Sequence, residues 1–207
     1  MTGEERVKVW DIAVRVAHWS LVVLFTVAYL TGEDEGMLHI YAGYGVIALL
    51  AFRILWGFVG TRHARFTDFI RGPKATMAYA RSLLSGKPIH YLGHNPLGGW
   101  MVIALLLSLA GACWSGLEAY GAEGHGPLAG QESLFIQSAL ADGDEDEGEN
   151  GKEREGDEFW EEVHEVLSNL SLLMVFVHIA GVAVASVVHR ENLVKAMITG
   201  YKNTDKL

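Results

Sequence analysis

Apolar residues fall into four long blocks, at about residues 12–31, 39–59, 97–117 and 163–188, and nearly all charges lie in the gaps between them. About 20 mostly apolar residues suffice to cross a bilayer as a helix. The pattern therefore predicts an all-α membrane protein, a four-transmembrane-helix bundle forming one domain over residues 1–207. The gaps become a loop over 60–95 and an acidic loop over 118–162. Within the first of these, Pro73-Lys74-Ala75-Thr76-Met77 opens a run of helix formers that ends at Gly86, which predicts a short helix along the membrane surface. Met77, Tyr79, Leu83 and Leu84 are available to its lipid or bundle side.

Charge orients the spans. Thirteen of the 16 Lys and Arg lie in the segment 1–15, the loop 60–95 and the C-terminal tail, whereas the other two gaps carry most of the acids. The positive-inside tendency then places both termini of a multi-pass protein in the cytoplasm, with the acidic loop outside. The first block runs too long for a removable signal and shows no small-residue cleavage site. Trp10 and Trp19 sit where amphipathic rings favour the membrane interface. The net charge of −9 gives no reason to expect a nucleic-acid partner. The stretch 141–157, ADGDEDEGENGKEREGD, is acidic low complexity and predicts a mobile external loop, either functionally neutral or a docking surface for a basic partner.

Histidines inside the blocks carry the candidate chemistry, because an ionisable group within a bilayer is costly and functional by default. His164 and His178 are 14 residues apart, which returns to nearly the same helix face roughly 21 Å further along. His39 opens the second block at the depth of His164, and His18 lies at the depth of His178. Two layers result, His39 with His164 outside and His18 with His178 further in. Two opposed imidazoles on neighbouring helices suit bis-histidine ligation of a flat iron macrocycle. With both axial positions filled, such an iron exchanges electrons rather than binding substrate.

Arg53 follows His39 by 14 residues, at the inner layer, and Arg15 lies close to it. Both are counter-charges for haem propionates, with snorkelling to the interface as the alternative for Arg15. Gly43, Gly45 and Gly181 notch the helices beside His39 and His178, for a porphyrin or for ordinary glycine packing. His189 shares the phase of His178 but falls at or beyond the inner boundary, which argues against it as a ligand. His90 and His94 near the inner mouth are candidates for a quinone pocket, and the basic loop with Arg62, His63, Arg65, Asp68 and Arg71 lies on the same side. The third block has no ionisable residue besides Cys113 and reads as scaffold. A single cysteine excludes an intrachain disulfide, a C-x-x-C-H haem attachment and a cysteine-ligated iron–sulfur cluster.

The run Arg15-Val16-Ala17-His18-Trp19 ending in Thr31-Gly32, and the run from Glu191 to Gly200, ENLVKAMITG, resemble the prokaryotic cytochrome b561 family, closest to the cytochrome b subunits of nickel–iron hydrogenases and related cytochromes. Arg53–Gly60 and Gly126–Gly130 are similar to the same group. The resemblance covers nearly the whole chain except the acidic insert. It implies a four-helix bundle with two b-type haems held by His18, His39, His164 and His178, the same four that spacing selects. It also implies a respiratory electron carrier rather than an enzyme, working between membrane quinone and an outer-face partner, a c-type cytochrome or a hydrogenase. The competing class is a metal-ion permease with intramembrane histidine ligands. Against it, the third block lacks the polar groups that a continuous path needs.

Overall fold

The computed structural model describes residues 6–33, 36–86, 89–129 and 149–203. Its elements are a strand β1 (Arg6–Lys8), helices α1 (Ile12–Leu30) and α2 (Met37–Val59), a 3-10 turn (Arg62–Ala64), helices α3 (Phe66–Phe69), α4 (Pro73–Leu84), α5 (Pro96–Ala122), α6 (Glu149–Val188) and α7 (Leu193–Thr199), and a strand β2 (Tyr201–Asn203). Four helices are long and apolar enough to cross a membrane: α1, α2, α5 and the part of α6 from Glu158 to Val188. Only 11–22% of the most apolar window of each is buried, an outer surface that suits lipid rather than water. The chain is thus a multi-pass membrane protein.

Two compact units divide it, Met1–Leu106 with Met174–Leu207, and Leu107–Leu173. In the first, α1 and α2 form an antiparallel hairpin closed by Asp11. One carboxylate oxygen of Asp11 accepts from the Val14 amide at 2.9 Å, capping α1, and the other accepts from Trp56 Nε1 at 3.1 Å and from the Thr61 hydroxyl. The start of α1 is thereby tied to the end of α2. Gly45 permits their close approach, since a Cβ there would lie 2.7 Å from Leu24 Cδ1. Behind α2 the chain folds back through α3. Gly57 makes room for the Phe66 ring and Gly99 for the Phe69 carbonyl, so the start of α5 sits directly on α3.

Helix α4 starts at Pro73 in its first turn and stops at Ser85, where Gly86 takes φ +70°, the conformation glycine adopts without strain. Tyr79 is buried, while Met77 stays exposed.

The terminal sheet has no signature in the hydropathy pattern. β1 pairs antiparallel with β2 in the register Arg6↔Asn203, Val7↔Lys202 and Lys8↔Tyr201. Gly200, at φ +89°, ends α7, and its carbonyl accepts from the amides of Val9 and Trp10 at 2.9 and 3.1 Å. Val9 and Trp10 pack on Ala196. Trp10 is therefore a core residue, not an interfacial anchor, because the returning C-terminal segment covers it. Trp19 remains 39% exposed.

The second unit contains α5 from Leu107 onward and α6 up to Leu173. Gly111 and Gly116 on α5 allow Leu167 and His164 of α6 to lie against it. Residues 149–157 are helical and continue α6, which corrects the loop expected there; the segment is rich in Glu, Lys and Arg, which are good helix formers. The rest of the acidic stretch, 141–148, lies outside the described residues.

Candidate functional site

The four histidines of the two expected layers, His18, His39, His164 and His178, lie on the membrane-spanning helices α1, α2 and α6. His39, in the first turn of α2, places Nδ1 2.8 Å from the Ala28 carbonyl of α1. A carbonyl can only accept, so Nδ1 carries the proton and Nε2 is the lone-pair nitrogen. His164, on α6, repeats the device with a different partner. Its Nδ1 lies 2.9 Å from the Ala112 carbonyl and 3.3 Å from the Ser115 hydroxyl, both on α5. A Cβ on Gly116 would stand 2.8 Å from Cε1 of the His164 ring, so only glycine leaves that ring its place. Helix α5 is thus more than scaffold: it sets the tautomer of His164 by a backbone carbonyl, which no hydropathy pattern marks. His39 and His164 belong to different units.

His18 of α1 and His178 of α6 share one unit. His18 Nδ1 is buried with no hydrogen-bond partner. The Trp19 ring stands edge-on to His18 at 5.2 Å. In the same unit, and among the described residues, other buried polar atoms lack partners: Arg53 Nη1, Arg15 Nε and His94 Nδ1. The Arg53 guanidinium lies over the Phe66 and Phe69 rings, at 5.3 and 5.6 Å. Another nitrogen of Arg15 donates to the Ile198 carbonyl, tying this arginine to α7 as well.

His94, expected near the inner mouth as a candidate for a quinone pocket, packs among aromatic rings. Its ring packs edge-on to Trp10 and tilted against Phe69, both at 4.7 Å. Burial, then the positive charges of Arg53 and Lys202, push it down to about 3, opposed by Asp68. It is a neutral imidazole. Among the described residues an added Cβ at Gly43 or Gly181 meets open space, whereas at Gly45 it would meet Leu24.

The remaining loop histidines have protein partners. His63 pairs with Asp68 at 2.9 Å, and His90 Nε2 donates to Glu191 Oε1 at 2.6 Å. His189 follows the end of α6, its Nε2 bonded to the Tyr79 hydroxyl at 3.1 Å. His125 stacks on Tyr120 at 5.4 Å.

Residues 9–200 match the sequence profile of prokaryotic cytochrome b561. The chain belongs to the prokaryotic cytochrome b561 family. Relatives named as probable Ni/Fe-hydrogenase B-type cytochrome subunits include one from Bradyrhizobium diazoefficiens, 30% identical over 64% of this chain. Others come from Azotobacter chroococcum, 24% identical over 97% of this chain and 92% of the relative, and from Cupriavidus necator, 24% identical over 94% and 86%. The chain spans 65% of the length of the Bradyrhizobium relative. No solved structure matches it.

Membership places the protein in a family of b-type cytochromes, whose prosthetic group is haem b. The residues present fit such a group. Imidazoles with a defined lone-pair nitrogen suit iron, and the buried unpartnered donors of Arg53, Arg15 and His94 suit the carboxylates of a porphyrin. Open helix surface at Gly43 and Gly181 leaves room for a flat ring.

Proposed function

We propose that the chain holds two b haems, one between His18 and His178 and one between His39 and His164, and passes electrons between membrane quinone and a partner on the outer face. Arg15 and Arg53 hold the propionates of the inner haem, joined by His94. The observation that carries this reading is the inner group, in which His18 and His178 share one unit with the buried nitrogen atoms of His18, Arg15, Arg53 and His94 that have no hydrogen-bond partner among the described residues. Unsatisfied buried donors are costly, and an anionic ligand removes that cost. For the outer haem, the support is the matched depth of His39 and His164 in the sequence and the like tautomers their carbonyl partners impose.

Haem supplies one-electron chemistry at iron when bound. The chain's own residues orient the imidazoles, neutralise the propionates and keep water out of the inner layer. Both termini lie in the cytoplasm of a bacterial cell, since the basic segments gather at the end where β1 meets β2. The outer partner is a hydrogenase, in keeping with the printed names of the relatives, or alternatively a c-type cytochrome. The permease reading is set aside, because the family is one of b-type cytochromes.

The test is haem quantified per chain with a reduced-minus-oxidised spectrum. Wild type is expected to hold two low-spin haems. His18→Ala and His178→Ala should each remove one and the same haem, and His39→Ala and His164→Ala the other. A single haem in wild type, or full haem content in all four variants, overturns the reading.

A further inference from the structure

Helix α4 carries none of the expected haem ligands, yet two bonds fix its depth. Near the start of α5, the Trp100 indole donates at 3.1 Å to the carbonyl of Arg71, two residues before α4 begins. In the middle of α4, the buried Tyr79 hydroxyl is bonded at 3.1 Å to His189, the residue after α6 ends. One helix is thereby held against the ends of two membrane spans, at the level where lipid headgroups meet the hydrocarbon. Trp100 stays 45% exposed, as an amphipathic ring at that boundary does.

Tyr79 faces the protein, and the opposite side of α4 is open. Lys74, Met77, Ala78 and Arg81 recur at the spacing of one helix face, and all four are exposed. With Pro73 they line a groove of about 440 Å³, a volume in the range of small-molecule sites. Lys74 and Arg81 stand roughly 10 Å apart along the axis, with Met77 and Ala78 between them. Among the described residues neither cation has an acidic partner. Helix α4 contains no Asp or Glu, and Asp68, the one acid between residues 60 and 95, is held by Arg62 at 3.5 Å and His63 at 2.9 Å. The groove is thus positive at both ends and apolar in its middle.

We infer that this groove seats the headgroup of an anionic phospholipid from the adjoining leaflet. Lys74 and Arg81 reach the phosphate from either side, and Met77 with Ala78 takes the glycerol and the first methylenes of the acyl chains. The depth of α4 decides among ligands. A free anion in water gains nothing from Met77, whereas a lipid phosphate brings apolar chains with it and is concentrated at the level where α4 is held. Arginine adds geometry to charge, since its planar fork gives a phosphate paired N–H donors. Each Lys or Arg beside an anionic membrane surface strengthens the association by about 5-fold. The inference is independent of how many haems the chain holds and of which redox partner it serves.

The test uses the full haem-loaded chain, stripped of lipid in a nonionic detergent, with bound lipid counted by native mass spectrometry. Phosphatidylglycerol is the probe, phosphatidylcholine with the same chains the zwitterionic control, and inorganic phosphate the water-soluble one. Wild type should bind one phosphatidylglycerol about 30-fold more tightly than phosphatidylcholine. Lys74→Gln and Arg81→Gln should each weaken that binding about 5-fold and the double variant about 30-fold, with haem absorbance unchanged. Ala78→Trp fills the groove while keeping both charges, and should abolish binding. Lys8→Gln combined with Lys195→Gln removes the same charge from exposed positions on β1 and α7, and should bind as wild type does. Equal affinity for phosphatidylcholine overturns the proposal, and so does displacement of the lipid by inorganic phosphate at matching concentration. An equal loss in the Lys8 and Lys195 variant, or undiminished binding in Ala78→Trp, overturns the groove as the site.

Discussion

Gly116→Ala offers a direct probe of the His164 site. The new methyl carbon would sit 2.8 Å from His164 Cε1 and 3.0 Å from Nδ1. Ordinary contact begins near 3.4 Å, so the ring must move by about 0.6 Å. The 2.9 Å bond from Nδ1 to the Ala112 carbonyl lies next to the displaced atoms and is stretched or lost with that movement. Overpacking of this kind costs about 1–3 kcal/mol. If the cost falls on the bound form, the affinity for the haem that His164 ligates drops by about 5- to 150-fold. The assay is retention of haem per chain during dilution in detergent, with the loss assigned by spectrum. Gly111→Ala is the control on the same helix, because its Cβ meets only the flexible end of Leu167 at 3.3 Å. The variant should lose one haem and keep the one assigned to His18 and His178. Gly116→Ala with unaltered retention of both haems would show that His164 is not held as the structure has it, or does not ligate.

His189→Ala should keep wild-type haem content in the same assay, since that ring is engaged by Tyr79; loss of one haem would make it a ligand. Asp11→Ala removes a helix cap and the bonds from Trp56 and Thr61, and should destabilise the hairpin by about 1–3 kcal/mol, read as a fall in Tm by circular dichroism. Burial raises the Asp11 carboxyl, but the hydrogen bonds of Thr61, Val14 and Trp56 outweigh it and hold the group below its ordinary 3.8. Its contribution is therefore present above that pH and is lost as the pH falls through the lower folded value, so the Tm gap between Asp11→Ala and wild type should narrow in acid. Arg190→Gly relieves a non-glycine residue at φ +52° and should raise stability by up to about 1 kcal/mol by chemical denaturation; a decrease would show that the arginine side chain outweighs the backbone strain.

Local periodicity carried much of this protein. Four apolar blocks fix four spans because each helix meets lipid along its own length, and α1 at Ile12–Leu30 and α2 at Met37–Val59 fall close to the stretches expected. The faces shared by His164 with His178, and by His39 with Arg53, follow from helical phase alone. The Pro73 start and the Gly86 stop of α4 are equally local. What the chain's order could not reveal are pairings between distant positions. Backbone carbonyls of Ala28 and Ala112 decide which nitrogen of His39 and His164 is basic, yet a carbonyl is common to every residue and leaves no mark in the sequence. The β1–β2 sheet buries Trp10 and brings Lys202 to Glu191 only because the two ends of the chain meet. His94 looks like a loop histidine until Trp10 and Phe69 close around it. The sequence by itself determined the spans and the phases of their histidines, because hydropathy and helical pitch act within a single segment. Only the tertiary structure decided tautomers, orphaned donors and the Glu191 cluster, because each depends on which remote group burial places opposite.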